Sequence, residues 1–424
     1  MKTTDSTPPL ARRLSLPLIT LYGIGTILGA GIYVLAGKVA GESGIYTHYA
    51  FFMAAAVVSF SAHAYAKLSR EFPVSAGEVA YIQNILHSKS LATTVGWAIV
   101  FTGVVSSATI AKGFAAYIEP YTSLPPQAVI FLLVTFLTAL AISGVAQAVG
   151  FAAVFTVVEI IGIGIIIWFA APKIPSFIQN NPEVLSVPPL EFFPAITFGA
   201  FLAFYAFIGF EDMVNMAEEV KRPEKNLPRA IYLSLIITSL LYALTALSFM
   251  ALLPMNVFIG SDAPFAEVAR NQHNLSLGLI TFISIAAISN GALIQIIMGS
   301  RVLYGMAFRK LAPHFLSHVW GRTKTPVLST LLVGFIVLLF ALSLPVISLA
   351  KITSTIVLII FSLVNISLFV WEWRKLFNEA SYSDKSATKN KNIMQKIRDL
   401  LIPATGFTLC ITFAFFQLTN LGNT

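Results

Sequence analysis

The chain has 424 residues, 57% of them hydrophobic and only 11% charged, with a mean hydropathy of +0.81. A soluble domain carries about 25% charged residues, so this composition excludes one and points to a polytopic membrane protein. The net charge of +8 and the pI near 9.4 suggest nucleic acid at first sight, but the placement of the basic residues excludes that. The single cysteine, Cys410, excludes an internal disulfide and a cysteine-based metal cluster.

A membrane span needs about 20 mainly apolar residues. Eleven such segments are predicted, near 16–36, 46–67, 91–118, 126–144, 150–171, 194–217, 230–253, 274–300, 326–344, 347–371 and 400–419. The polar start Met1–Arg13 runs into the first span without a cleavage-site pattern, so the first helix is expected to be its own insertion signal. That span holds Gly23-Ile-Gly-Thr-Ile-Leu-Gly-Ala-Gly-Ile-Tyr33. Glycine weakens a helix by about 1 kcal/mol relative to alanine. It also lets a backbone open or come close to a neighbour. Two readings follow: a helix broken at Leu28–Gly31 with amides turned to an anion, or small-residue packing through Gly25 and Gly29.

Lysine and arginine set the orientation. With the N-terminus in the cytoplasm, all but Lys38, Lys112, Lys173, Arg270 and Lys351 fall on the inside. The surplus charge is therefore a topology signal. Trp97, Trp168, Trp371 and Trp373 fall at span ends, as interfacial tryptophans do.

Spans one to five cover 16–171 and spans six to ten cover 194–371. Five is odd, so the second block begins on the opposite side of the membrane. Repeats arranged in this way are inverted, a transporter architecture with substrate at the midplane between discontinuous helices. The remainder divides into a cytoplasmic N-terminus (1–15), a cytoplasmic loop (372–399) and an extra helix (400–419). If span one is interrupted, span six should be too. It reads Phe204-Tyr-Ala-Phe-Ile-Gly-Phe-Glu-Asp212, a glycine and two acids in mid-membrane.

Several motifs resemble the amino acid–polyamine–organocation transporters, the amino acid permeases. Gly29-Ala30-Gly31 is similar to the glycine core of that family's first helix. Ala206–Asp212, followed by Ala217-Glu-Glu-Val-Lys-Arg-Pro-Glu-Lys-Asn-Leu-Pro-Arg229, resembles its sixth helix and the acidic, Pro-rich loop behind it. Ser300-Arg-Val-Leu-Tyr-Gly-Met-Ala-Phe-Arg-Lys-Leu-Ala-Pro313 with Thr323-Lys-Thr-Pro326 resembles the loop after helix eight. Pro73-Val-Ser-Ala-Gly77 resembles the signature after helix two, with Glu78 where a second glycine is common. The resemblance implies an all-α, leucine-transporter-like core of five plus five helices with helices one and six broken. It implies that Gly29, Ala30 and Gly31 offer amides to a substrate carboxylate, and that the carbonyls of Ile27, Tyr205, Phe207 and Ile208 accept from its ammonium. Tyr205 stands where relatives place a gating aromatic. The family has twelve spans against eleven here. Some relatives carry a coupling lysine in helix five, where this chain has Glu159.

A charge at the bilayer centre costs about 2.5–3.5 kcal/mol, so each acid there needs a reason. Glu159 is expected to be a proton or cation site, or a neutral carboxyl bonded between helices. Glu211 is expected to structure the break or to sense pH, and Asp212 to cap the second half-helix. Glu218, Glu219, Lys221 and Arg222 read as a solvated loop or a gate. Lys112 and Lys351 read as snorkelling cations, and His48 and His63 as bland. Ser106, Ser107, Ser289 and Asn290 read as pocket lining or packing glue.

An embedded enzyme would need a nucleophile–base pair, a metal cluster or a cofactor motif; HExxH, Walker A, GxSxG and Cys/His clusters are absent from the sequence, so no cofactor or metal is expected. A channel would need a repeated filter or charge rings. The expectation is a secondary transporter in the cell membrane carrying a neutral amino acid with H+. Na+ coupling, exchange, or a cationic substrate paired with Glu211 or Glu159 stand as alternatives.

Overall fold

A computed structural model describes residues 10–119, 122–259, 261, 264–272, 275–343, 347–377 and 393–421. The described residues form helices joined by short loops: α1 (Leu16–Ser43), α2 (Thr47–Glu71), α3 (Gly77–Ile85), α4 (Lys89–Ile118), α5 (Pro126–Ser143), α6 (Val145–Ala170), α7 (Ile174–Asn180), α8 (Phe193–Tyr205), α9 (Pro223–Leu252), α10 (Met255–Ile259), α11 (Pro264–Asn271), α12 (Leu277–Phe308), α13 (Val327–Ser343), α14 (Ile347–Phe377) and α15 (Ile393–Leu421). Helix starts follow local chemistry. Proline occupies the first turn of α1, α5, α8 and α9, where its missing N–H costs nothing. Ser88 and Ser276 accept from Leu91 N (3.2 Å) and Leu279 N (3.4 Å).

Among the described residues, ten helical stretches are long and apolar enough to cross a membrane, and Val327–Ser343 is a shorter apolar helix. These positions match the eleven expected spans. Phe131, Leu132 and Phe136 on α5, Ile236 and Leu240 on α9, and Phe335 and Leu339 on α13 are exposed. Lipid tails suit such faces, which in water would be patches needing cover. Trp168 and Trp373 are exposed near helix ends, where an amphipathic ring suits the interface.

At the centre, α1 packs against α8, α9, α6 and α12; α12 lies along α4, and α15 along α14. Two features differ from expectation. First, α1 is continuous from Leu16 to Ser43, so no break appears at Leu28–Gly31. Its glycines serve close packing instead. A Cβ on Gly31 would stand 2.7 Å from Ala206 Cα, and one on Gly25 would stand 2.1 Å from Thr156 Oγ1. Second, the sixth span is interrupted, but only its first half is α-helical. α8 ends at Tyr205, a turn covers 206–209, and Phe210–Glu219 is 3-10 helix. Gly209 takes φ +130°, a conformation open to glycine at little cost.

The surroundings of Gly29, Ala30 and Lys351 lie outside the described residues, as does much of the expected loop 372–399.

Candidate functional site

The interruption after α8 faces α1 and leaves a cavity of about 160 Å³. Ile27 and Gly31 of α1 line it opposite Tyr205, Ile208 and Gly209 of the break, with Ser106 of α4 and Gln295 of α12 behind. Of the expected site residues, Ile27, Gly31, Tyr205 and Ile208 come together here. Phe207, expected to present its carbonyl, is not among the lining residues; its ring is buried edge-on against Tyr242, centroids 5.0 Å apart. The amides of Gly29, Ala30 and Gly31 lie within the continuous α1 and are therefore engaged in its own ladder rather than presented to a ligand.

The break is held by its own polar groups. Gly209 N–H donates to Glu211 Oε2 at 2.7 Å. Ile208 N bonds to the Tyr205 carbonyl (3.2 Å) and Phe207 N to that of Phe204 (3.0 Å). The structuring role expected of Glu211 is thus visible. The capping expected of Asp212 is not, because its Oδ2 accepts from Gln295 Nε2 (3.0 Å) on α12. Tyr242 on α9 joins the two helices, its hydroxyl 2.5 Å from the Ile27 carbonyl and 2.9 Å from that of Ala206. Sequence reading passed over Tyr242 because a tyrosine within an apolar helix carries no positional signal.

A second, smaller cavity of about 60 Å³ shares Ser106, Tyr205, Ile208 and Gln295 with the first and ends among Glu78, Glu211 and Asp212. Glu78 opens α3 and is buried. Burial and the nearby Glu211 push its carboxyl up to about 8, against the pull of its own backbone amide, Asn215 and Tyr65.

Glu159 sits apart from this cavity, wholly buried on α6. Asn290 Nδ2 donates to its Oε1 (3.0 Å) and lies 3.1 Å from Thr156 Oγ1, while Oε2 has no hydrogen-bond partner. Gly25 of α1 rests against this Thr156–Asn290 pair. The three serines expected as lining or glue divide: Ser106 lines both cavities, whereas Ser107 donates to the Ala292 carbonyl (3.2 Å) and Ser289 to that of Ile285 (2.8 Å).

Beyond the carboxyls the bundle is tied shut. Glu219 and Arg301 form a fully buried ion pair, Nη2–Oε1 3.0 Å and Nε–Oε2 3.2 Å. Glu218 accepts from Ser75 N (3.1 Å) and Tyr304 OH (3.3 Å). Leu14 N bonds to the Glu219 carbonyl (3.0 Å), and Lys221 N to that of Leu14 (2.8 Å). The solvated-loop reading holds for Lys221 and Arg222, which are exposed, and fails for Glu219. The loop is folded onto α12 because a charged pair with matched geometry can be buried where a lone charge cannot.

Comparison with known proteins places this geometry. The profile of the amino acid permease family matches residues 14–422. A mitochondrial cationic amino acid transporter 3 of Arabidopsis thaliana is 29% identical over 388 residues, 85% of this chain and 62% of that protein. The chain thus spans about three-fifths of the length of that relative. The branched-chain amino acid permease BcaP of Bacillus subtilis is 27% identical over 87% of this chain and 82% of its own. Among solved structures, MhsT in complex with L-phenylalanine superposes with a TM-score of 0.64 at 14% identity, covering 97% of this chain and 99% of that one. A Na+-coupled sialic acid symporter in a substrate-bound outward-open state gives 0.60 at 13%, covering 95% and 89%. At such identity these two speak for the leucine-transporter-like fold alone. The chain belongs to the amino acid permease family.

Proposed function

We propose that the protein is a secondary active transporter that moves amino acids across the cell membrane by alternating access, coupled to protons and favouring neutral substrates. The observation that carries this reading is the interruption of the sixth span at 206–209 directly against Gly31, with a cavity between. Non-helical backbone at membrane depth is tolerated where it lines a cavity, and a zwitterion suits such a place. Carbonyls at the break take the ammonium. The carboxylate is taken by the amides of Gly29, Ala30 and Gly31 once α1 opens there, a step the run of glycines makes cheap. The blocks 16–171 and 194–371 act as inverted repeats, with the N-terminus on the cytoplasmic side as the placement of lysine and arginine requires.

Glu159 is the coupling carboxyl of this reading. It is buried, half-satisfied, and linked through Thr156 and Asn290 to Gly25 in the helix that must move. A change in its protonation alters a contact of α1 without touching the substrate. A cationic substrate is the second reading, supported by the acidic end of the smaller cavity.

The test is uptake of a mixed set of labelled amino acids into proteoliposomes under an inward proton gradient, an inward sodium gradient, or neither. Proton-driven uptake that Glu159→Gln abolishes while exchange persists is the expected result. Uptake driven by sodium alone, or unaffected by Glu159→Gln, removes the coupling scheme. Absence of uptake and exchange for every amino acid removes the substrate class.

A further inference from the structure

The smaller cavity raises a question that Glu159 does not answer. Three carboxyls, Glu78, Glu211 and Asp212, meet at its end, all buried. Two of them are accounted for. Glu211 holds the Gly209 amide and Asp212 holds Gln295. Glu78 is not: it is 1% exposed, it lines the cavity, and its Oε2 has no hydrogen-bond partner.

Its neighbours are in the same condition. Tyr65 of α2, Tyr81 of α3 and Asn215 of the 3-10 segment surround the carboxyl. The hydroxyls of both tyrosines and Nδ2 of Asn215 are also buried without a partner. Buried polar atoms are nearly always satisfied. Three such atoms around the unpartnered Oε2, two of them on Tyr65 and Asn215, which stand close enough to pull on the carboxyl, mark a place where the hydrogen-bond arrangement changes. An ionised Glu78 accepts from tyrosine hydroxyls and the amide; a protonated one donates and lets them turn away. The remaining surroundings do not fix its charge. From α4 and α14 the cavity receives Ile99, Thr102, Val357, Ile360 and Phe361, without titratable groups. The charge acting on Glu78 is that of Glu211, and Glu78 in turn acts on Asp212. Arg309 at the end of α12 acts on Tyr81.

From this arrangement we infer that Glu78 is a second proton-binding site, distinct from Glu159, at the closed end of the substrate cavity, and that it links protonation to the closure of that end. The inference rests on the transporter reading for its purpose, but not for the site itself. The link is mechanical. Glu78 lies in the first turn of α3, whose start is fastened to the loop after the break by Gly77 N to Asn215 Oδ1 (3.2 Å) and by Ser75 N to Glu218 (3.1 Å). When Glu78 loses its proton, its charge faces that of Glu211 across the cavity, and α3 is pushed from the 3-10 segment. When it gains one, that repulsion ends and the fastening holds. Ionising three carboxyls in one low-dielectric pocket is disfavoured, as for two that share a site.

The experiment is an infrared pH titration of the full chain in lipid nanodiscs between pH 5 and 10, on wild type, Glu78→Gln and Glu159→Gln. In the wild type, protonated-carboxyl C=O absorption bleaches across this range; the component near pH 8 that belongs to Glu78 is the difference between wild type and Glu78→Gln, and it persists in Glu159→Gln. In parallel, amino acid counterflow in proteoliposomes loses one proton's worth of pH dependence, a factor of ten per unit above pH 8, in Glu78→Gln. A band and a pH profile unchanged by Glu78→Gln overturn the inference, as does a band that answers to Na+ and not to pH. Should Glu78→Gln not fold, Glu78→Asp carries the test, since a shorter carboxyl must move the midpoint, and an unmoved midpoint overturns the site. A component lost in Glu78→Gln with no counterflow of any amino acid in the wild type keeps the site and removes the transport reading. Counterflow in the wild type with an unchanged band does the reverse.

Discussion

Substitution Glu219→Gln should open the end of the bundle that the sequence assigns to the cytoplasm. The pair it breaks is bidentate, 3.0 and 3.2 Å, and both side chains are fully buried. Removing one partner of such a pair costs about 3–5 kcal/mol, because the remaining charge is left uncompensated. Here that charge is Arg301, whose Nη1 keeps one further contact, Ser300 Oγ at 2.9 Å. The cost is relieved if the 3-10 segment and Leu14 lift away and let water reach the guanidinium. At 1.4 kcal/mol per factor of ten, the open state gains by up to roughly 10²- to 10⁴-fold relative to the closed one. The assay replaces the single native thiol, Cys410→Ser, and places a new one at Ser106, which lines both cavities. An impermeant maleimide is then applied to inside-out vesicles. Labelling should accelerate by about two orders of magnitude. The double variant Glu219→Gln/Arg301→Met should return most of the way to the parent rate, since an apolar pair of similar volume is tolerated where a lone charge is not. An unchanged labelling rate in Glu219→Gln, with unfolding temperature lowered, would refute the gate and leave only a fold contact.

Other expectations follow from single contacts. Gly209→Ala meets two penalties, φ +130° and a Cβ 2.7 Å from the Thr26 carbonyl oxygen; together about 2–5 kcal/mol should abolish substrate binding measured by scintillation proximity. Gly31→Ala, with its Cβ 2.7 Å from Ala206 Cα, should cost about 1–3 kcal/mol and lower the unfolding temperature while moving α1 off the break. Glu78 has a pH signature of known sign: its carboxyl is raised to about 8 from 4.5 in the unfolded chain, so the stability it contributes is full below pH 4.5 and declines until pH 8. Wild type should lose stability against Glu78→Gln by at most about 1.4 kcal/mol per pH unit across that window, read from thermal unfolding, and a constant difference would contradict the raised value. Lys67 bridges Glu372 of α14 and Asp399 of α15 at 3.3 and 2.9 Å. It is partly exposed, so Lys67→Met should cost between a surface and a buried pair, about 1–3 kcal/mol, and speed thiol labelling of the buried Cys410 on α15.

The spans were legible because lipid imposes a simple demand: some 20 apolar residues in a helix. Every one of the eleven segments has its helix. The interruption in the sixth span was legible as well, since a glycine followed by two acids has no place in a plain membrane helix. Less legible was which acid does what. Glu211 and Asp212 are adjacent and chemically alike, and only the path of the turn decides that one faces the Gly209 amide and the other Gln295. Glu219 was misjudged as solvated for a similar reason: its partner Arg301 lies 82 residues away, beyond any local pattern. Glu78 stood out in the sequence only as a departure from a glycine signature. Its burial comes from α4, α14 and the 3-10 segment closing around α3.

The first helix is the instructive case, because both of its readings rest on the same atoms. Glycine permits an opened turn and permits close approach, and in this structure it is close approach that is realised. Gly25 meets Thr156 beside Glu159, and Gly31 meets Ala206 at the break. Tyr242 holds the carbonyls of Ile27 and Ala206 from one hydroxyl, and a hydroxyl has one proton to give. Two acceptors therefore compete for a single donor at the point where α1 and the break touch. On the transport reading proposed above, a zwitterion arriving there would supply what is short: an ammonium for the carbonyls, and a carboxylate for the amides that an opened turn would release. The contact between α1 and the break is thus held by packing and one shared proton, while in the proposed substrate complex it would be held by charge. That difference in what each state binds is what a transporter needs, since a ligand shifts an equilibrium only by its unequal affinity for the two states.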